Sequence, residues 1–421
     1  MDNNKYWSSS EQLHETEVYK EKSKKEFHEE LPVFDYVKDT TDVPSTDRRD
    51  FLKMVGFSVS AAALATSCKT PIKKAIPYVF DNNKGIPEMV PGIAEYYAST
   101  FYDGTDYASV LVKTRENRPI KLDGNKNAPY TNGGTSARLQ ASIMGLYDTN
   151  RLKSPVKKGG QKTTWAQVDA DIKTALSKIS AENGKIAIVS NSSASILTKK
   201  AIDAFKAKYT NTVHVAYDPI SAFALRKANS ITLGSAIIPT YHFDKAQVIV
   251  GFNCDFLGTW ISPIENAKRY SANRVPTKEN PNMSRHYQFQ SNVTITGMNA
   301  DYKIQIRPSE EKSALIALYN AISGSSIGGG SFKDTKSIAK VAKDLLAAKG
   351  NSLVLSGTND VQIQLITNAI NAALGNYGNI IDTSVTQNVK NGDDEALAAL
   401  ASELKNGTIK RDNLIRCKSS L

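Results

Sequence analysis

From Trp165 onward, apolar residues recur along the chain in two alternating rhythms. Apolar positions three and four apart predict amphipathic helices over 165–179, 195–209, 222–229, 310–322, 335–348 and 361–374. Between them lie short, almost wholly apolar runs at 185–189, 213–215, 247–251 and 352–356, the pattern of strands covered on both faces. Helices alternating with such strands predict an α/β domain with Rossmann-like parallel sheets, assigned to residues 161–409. Upstream the rhythm changes. Ser109-Val-Leu-Val-Lys-Thr114 and Arg118-Pro-Ile-Lys-Leu122 flank a turn at Glu116-Asn117 and predict a hairpin. A single amphipathic helix should follow, with Leu139, Ile143, Leu146 and Tyr147 on its apolar side. Asn132-Gly133-Gly134-Thr135 before it reads as a tight turn and cap, or alternatively as an anion cradle. Residues 69–108 are expected to be irregular, because Pro71, Pro77, Pro87 and Pro91 punctuate them. Residues 69–160 therefore form a section of their own: extended segment, hairpin and helix.

The N-terminal region carries a different kind of signal. Residues 1–45 are polar and charged, with too few apolar positions to fold alone. Residues 46–68 hold Thr46-Asp-Arg-Arg-Asp-Phe-Leu-Lys53 and then an apolar run from Met54 to Thr66. The pair Arg48-Arg49 followed by Phe51 and Leu52 is the pattern of a twin-arginine export signal. The apolar run falls short of the about 20 residues a spanning helix needs. Cys68 follows Leu64-Ala-Thr-Ser67, which resembles a lipidation box with Ala65 where Leu is usual. Cleavage after Ala63-Leu-Ala65 and an uncleaved leader are the alternatives. The expected location is the periplasmic face of the bacterial inner membrane.

Composition narrows the chemistry. The 421 residues are 40% hydrophobic and 23% charged, which suits a globular chain of two or three domains. The net charge is +11, but the basic residues read as scattered and without interleaved aromatics. That argues against nucleic acid and leaves solvated faces or attraction to anionic headgroups. Cys68, Cys254 and Cys417 lie far apart, so the chain has no four-cysteine array for an iron–sulfur cluster. His14, His28, His214, His242 and His286 show no metal-ligand spacing and read as structural or surface residues. No strand is followed by G-x-G-x-x-G, and no phosphate-binding P-loop occurs, which leaves nicotinamide and ATP sites unsupported. The glycine run in 323–331 reads as a flexible loop.

Several stretches carry a family resemblance. The leader with its displaced Arg48-Arg49, then Gly92-Ile-Ala-Glu-Tyr-Tyr97, Phe243-Asp-Lys-Ala246 and Asp255-Phe-Leu-Gly-Thr-Trp-Ile-Ser-Pro263, resembles the B subunit of bacterial alternative complex III. Met283-Ser-Arg-His286, Gly297-Met-Asn-Ala-Asp301 and Ile304 to Ser309 fit the same pattern, so the likeness runs from about residue 5 to about 408. The resemblance implies sheets of the molybdopterin-oxidoreductase type and a subunit that moves electrons from quinol oxidation toward haem subunits. It also implies membrane partners, with haem and quinol-binding subunits among them. In that family a ferredoxin-like domain with cysteine quartets carries the iron–sulfur clusters. The polar, basic stretch 410–421 ends at Leu421 without them and is expected to be an aberrant tail, from a frameshift or a split gene. The sheet is thus expected to be truncated, with an exposed edge, and the chain to have no redox activity alone.

Asp255, Gly258 and Trp260 are the residues singled out for a cofactor. They follow a predicted strand at the end where open α/β sheets bind ligands. Asp255 would accept from a pterin nucleotide, Gly258 would admit its backbone, and Trp260 would stack. The rival expectation is an empty scaffold, with Trp260 in the core and Asp255 capping a helix. The resemblance favours the scaffold: no cofactor on this chain, no catalytic residue and no metal ligand. A molybdopterin-dependent oxidoreductase is the alternative.

Overall fold

The computed structural model describes residues 92–409 except 158, 279, 280 and 330, together with 414–417 and residues 16, 17 and 20. The chain divides into two compact units, Met1–Asn82 and Asn83–Leu421, and the fold below belongs to the second. The export-signal residues Arg48, Arg49, Phe51 and Leu52, and Cys68, lie outside the described residues.

The described fold begins with an antiparallel meander of β1 (Glu95–Tyr102), β2 (Tyr107–Arg115) and β3 (Arg118–Gly124). Glu116 and Asn117 both take positive φ, 49° and 61°, which makes the expected hairpin turn a two-residue turn matched to strand twist. β1 corrects the expectation of irregular chain over 69–108. The prolines end at Pro91, and the run Tyr96-Tyr-Ala-Ser-Thr-Phe-Tyr102 is rich in strand formers. Phe101, Ala108, Val110 and Leu122 pack on Leu139 of α1 (Ala137–Ser142) and on Ile264. The single helix expected here is instead two short ones, α1 and α2 (Met144–Tyr147), meeting at Ile143. Leu139 is buried, whereas Leu146 and Tyr147 face solvent.

The first parallel unit follows: α3 (Trp165–Ala181), β4 (Ile186–Ser190), α4 (Ile196–Lys208) and β5 (Thr212–Ala216). Thr164 and Ser195 cap the two helices by accepting from Gln167 N and Thr198 N. Then come α5 (Phe223–Leu233), β6 (Ile238–Tyr241), β7 (Val248–Phe252), α6 (Pro263–Ala272), β8 (Arg285–Gln290), α7 (Ile295–Met298) and β9 (Tyr302–Gln305). The chain continues through α8 (Glu311–Ser323), α9 (Thr335–Ala347), β10 (Ser352–Ser356), α10 (Val361–Ala373), β11 (Ile381–Gln387), α11 (Asp394–Lys405) and β12 (Leu414–Cys417).

The central sheet is parallel, in the order β10-β7-β8-β9. Every residue of β7 and β10 is buried, as strands covered by helices on both faces require. Val248, Val250 and Phe252 enter a core with α8 and α9, while Ile249 enters one with Phe243, Phe256 and Trp260. A second parallel sheet has the order β12-β4-β5, and β6 pairs antiparallel with β11. The predicted α/β class with parallel sheets is therefore the class observed. Within the stretch 410–421, Leu414–Cys417 extends this second sheet as a strand parallel to β4, pairing from Leu414↔Ala187 to Cys417↔Ser190.

Candidate functional site

In the central sheet the chain steps outward from β7 to β8 and β9, then returns through α8 and α9 to β10 on the other side of β7. The direction of winding therefore reverses between β7 and β10. The crevice beyond their C-terminal ends is where such sheets hold ligands. Asn253–Ser262 leaves β7 on one side of it, and Gly357–Asp360 leaves β10 on the other. Asp255, Gly258 and Trp260 do lie at this point in the fold, as their sequence position predicts.

Their side chains, however, are turned to the protein. Asp255 Oδ1 accepts from Thr296 Oγ1 at 2.8 Å and from Thr296 N at 3.2 Å, in the first turn of α7. Its Oδ2 accepts from Thr259 Oγ1 at 3.4 Å, and its carbonyl accepts from the backbone N–H groups of Gly258, Thr259 and Trp260. A Cβ at Gly258 would stand 2.1 Å from Asp255 Oδ2, so the space opened by this glycine is filled by the neighbouring carboxylate. The Gly258 carbonyl accepts from Arg138 Nη2 at 2.8 Å. Trp260 is buried, with its ring centroid 5.2 Å from that of Tyr241. Ile261 holds φ at +58°, costly for a β-branched residue, while its side chain is buried in the same cluster as Trp260.

A carboxylate the sequence did not single out closes the crevice. Glu311, 1% exposed at the start of α8, accepts at 2.7 Å from Ser356 Oγ, Thr358 Oγ1 and Asn253 Nδ2. It thereby ties the β7 loop to the β10 loop. Asn253 Oδ1 accepts from Ser291 N at 2.8 Å, which adds the end of β8 to the same tie. Gly357 is needed for this approach, because a Cβ there would meet the Asn253 carbonyl at 2.3 Å. In sequence Glu311 is an acid in a helix's first turn, where acids are common on dipole grounds alone. Nothing in its spacing marks it as buried.

A second polar cluster joins β1–β3 to the C-terminal ends of the strands. Asp106, fully buried, accepts from Arg138 Nη2 at 2.7 Å and from Ser136 Oγ. Arg138 also reaches Asp103 at 3.7 Å, so this one guanidinium joins both acids to the Gly258 carbonyl. Lys390, 3% exposed, donates to the Gly104 carbonyl at 2.7 Å; burial lowers its pKa, with Asp218 and Asp103 opposing. Tyr102 Oη donates to the carbonyls of Ser192 and Val389, and burial pushes its pKa up to about 12. Asp218 accepts from Ser192 Oγ and Gly392 N. The side chains of the crevice are thus engaged with one another.

The histidines and the buried cysteine follow the same rule. His286 is fully buried between Tyr270 Oη (3.1 Å) and Gln288 Oε1 (3.2 Å), and burial lowers its pKa to about 4. Its backbone N donates to Asp301, whose carboxylate is held by both terminal nitrogens of Arg274. His242 and His214 are half-buried, and burial lowers both. Burial pushes the Cys254 thiol well up, away from the thiolate a metal ligand or nucleophile needs. Among the described residues no group of three His, Cys, Asp or Glu side chains is disposed to hold a metal ion.

Tested against this geometry, a pterin nucleotide does not fit the three residues singled out for it. Asp255 has its oxygens engaged, the space beside Gly258 is occupied by that carboxylate, and the Trp260 ring is buried against Tyr241.

No protein-family model matches the chain. Among curated proteins, the menaquinone reductase molybdopterin-binding-like subunit of Nitratidesulfovibrio vulgaris is 23% identical over 299 residues. That alignment covers 70% of this chain and 42% of the relative, so the chain spans less than half the relative's length. Among solved structures, acetylene hydratase from Pelobacter acetylenicus superposes with a TM-score of 0.40 at 11% identity, covering 68% of this chain and 39% of that one. The formyltransferase/hydrolase complex of Methylorubrum extorquens superposes with a TM-score of 0.34 at 14% identity, covering 50% of this chain and 54% of that one. In sequence, then, this α/β chain is similar over most of its length to a protein described as molybdopterin-binding-like.

Proposed function

We propose that the chain is a cofactor-free, structural portion of an electron-transfer subunit in a quinol-oxidising respiratory complex of the alternative complex III kind. The observation that carries this reading is the filled crevice. Glu311, Asp255 and Arg138 spend their polar atoms joining the loops of this chain to one another at the position where a ligand would enter. The similarity to a subunit described as molybdopterin-binding-like supports descent from an oxidoreductase scaffold. In this reading the protein is exported by the twin-arginine route to the periplasmic face of the inner membrane. It is held there by its leader or a lipid on Cys68, and it sits against haem, quinol-binding and iron–sulfur partners. The scaffold transmits no electrons itself.

Purification from native membranes tests this directly. Metal analysis and pterin fluorescence of the isolated protein are expected to find neither molybdenum nor pterin, and haem-containing subunits are expected to co-purify. Stoichiometric molybdopterin, lost when Asp255 is replaced by Ala, would establish the alternative of a molybdopterin-dependent oxidoreductase.

A further inference from the structure

We propose that one end of the α3–β4–α4–β5 lobe docks onto an anionic lipid surface. The positive charge that reads as scattered along the sequence is concentrated in this lobe. Residues 151–208 contain twelve Lys and Arg against four Asp and Glu, which accounts for most of the chain's net +11. The same segment exposes large apolar side chains: Leu152 at 78%, Trp165 at 71%, Ile196 at 70% and Leu197 at 78%.

Topology brings these features together. α3 turns back into β4 through only Glu182–Lys185, and α4 follows β4 and returns to the start of the parallel strand β5. Both helices therefore run antiparallel to β4 and parallel to each other. Their N-termini, with Trp165 on one and Ile196-Leu197 on the other, lie at the same end of the lobe. A short hairpin bridged at Val156↔Lys162 leads into Trp165 at that end. Lys162, Lys199 and Lys200 are exposed there and have no carboxylate partner among the described residues. α4 has no buried residue at all, so core packing does not account for its apolar start.

The chemistry selects a membrane over an acidic protein. The three cations unpaired at that end among the described residues, Lys162, Lys199 and Lys200, are all lysines, hydrated point charges without the bidentate geometry that favours arginine in carboxylate recognition. An indole among aliphatic side chains and lysines is the composition that settles at the boundary of headgroups and acyl chains. Among the described residues no helix is long and apolar enough to cross a membrane, so this contact is peripheral. The inference stands on charge and exposure and does not depend on the respiratory reading above.

The test is co-sedimentation of the full chain with vesicles of phosphatidylcholine alone or mixed with phosphatidylglycerol, at low and high salt. Binding is expected only to the mixed vesicles, weakened by salt and accompanied by a blue shift in fluorescence that Trp165→Phe removes. Lys199→Gln with Lys200→Gln should weaken binding about 25-fold, about fivefold for each charge lost. Both variants alter exposed side chains, and an unchanged melting temperature confirms that they fold. Equal binding to neutral vesicles would overturn the proposal. So would binding undiminished in the double variant, which would assign the contact to the leader. Salt-sensitive capture by an acidic soluble protein without vesicle binding would overturn it as well. None of these results bears on the presence of molybdenum or pterin, which the preceding experiment reads separately.

Discussion

Replacing Glu311 with Ala removes the acceptor that holds three loop ends together. Its carboxylate receives Ser356 Oγ, Thr358 Oγ1 and Asn253 Nδ2, each at 2.7 Å. A hydrogen bond to a charged group contributes about 1.5–3 kcal/mol, and a donor left unpaired in the interior costs about 1–3 kcal/mol. Ser356 is 1% exposed and has no route to water, so it bears the full penalty. Asn253 and Thr358 are only partly buried, and water recovers some of theirs. The variant should therefore lose about 3–5 kcal/mol, a large share of the about 5–15 kcal/mol by which a protein is stable. For a domain of this size that lowers the melting temperature by about 6–20 °C. Circular dichroism against temperature reads the shift. Glu311→Gln should fall between, since its carboxamide keeps the shape but offers one oxygen to three donors. A Glu311→Ala protein that melts within about 2 °C of the parent would refute the argument that this carboxylate ties the crevice shut.

Three further outcomes follow from the same structure. Asn371 covers the free edge of β10, accepting from Val354 N at 3.1 Å and donating to Val354 O at 2.7 Å. Asn371→Leu should then cost about 2–5 kcal/mol in urea unfolding, because two buried backbone groups lose their partner. Gly258→Ala should displace the Asp255 carboxylate from Thr296 and cost about 1–3 kcal/mol, leaving any vesicle binding unaltered. A variant as stable as the parent would contradict that placement. His286 titrates near 6.5 when unfolded and at about 4 when folded. The unfolded chain therefore binds the extra proton first, and the His286 contribution, complete above pH 6.5, is lost as pH falls toward 4. The loss amounts to about 3 kcal/mol at the acid end. Urea midpoints measured across this range should fall in the parent and stay flatter in His286→Gln.

Elements whose signal is local could be read along the chain. The strands over 247–251 and 352–356 were legible because burial on both faces makes them continuously apolar, and the observed Val248–Phe252 and Ser352–Ser356 match them to within a residue. The helices over 335–348 and 361–374 were legible from periodicity; that Asp334 and Asp360 cap them is seen only in the structure. β8 was not. Three of its five buried residues, His286, Gln288 and Gln290, are polar, and tertiary partners such as Tyr270 and the Cys254 carbonyl make the burial of His286 and Gln288 tolerable. Nor were β1 and β12, whose residues become strands by pairing with β2 and β4. The sequence also located Asp255, Gly258 and Trp260 beyond the end of a strand. Their occupation was decided by Thr296, by Tyr241 and by Arg138, which lies 120 residues from Gly258 along the chain. Periodicity reports which face of an element is apolar. Which polar group meets which across the crevice is fixed by non-local pairing, and that pairing exists only once the strand order β10-β7-β8-β9 has formed.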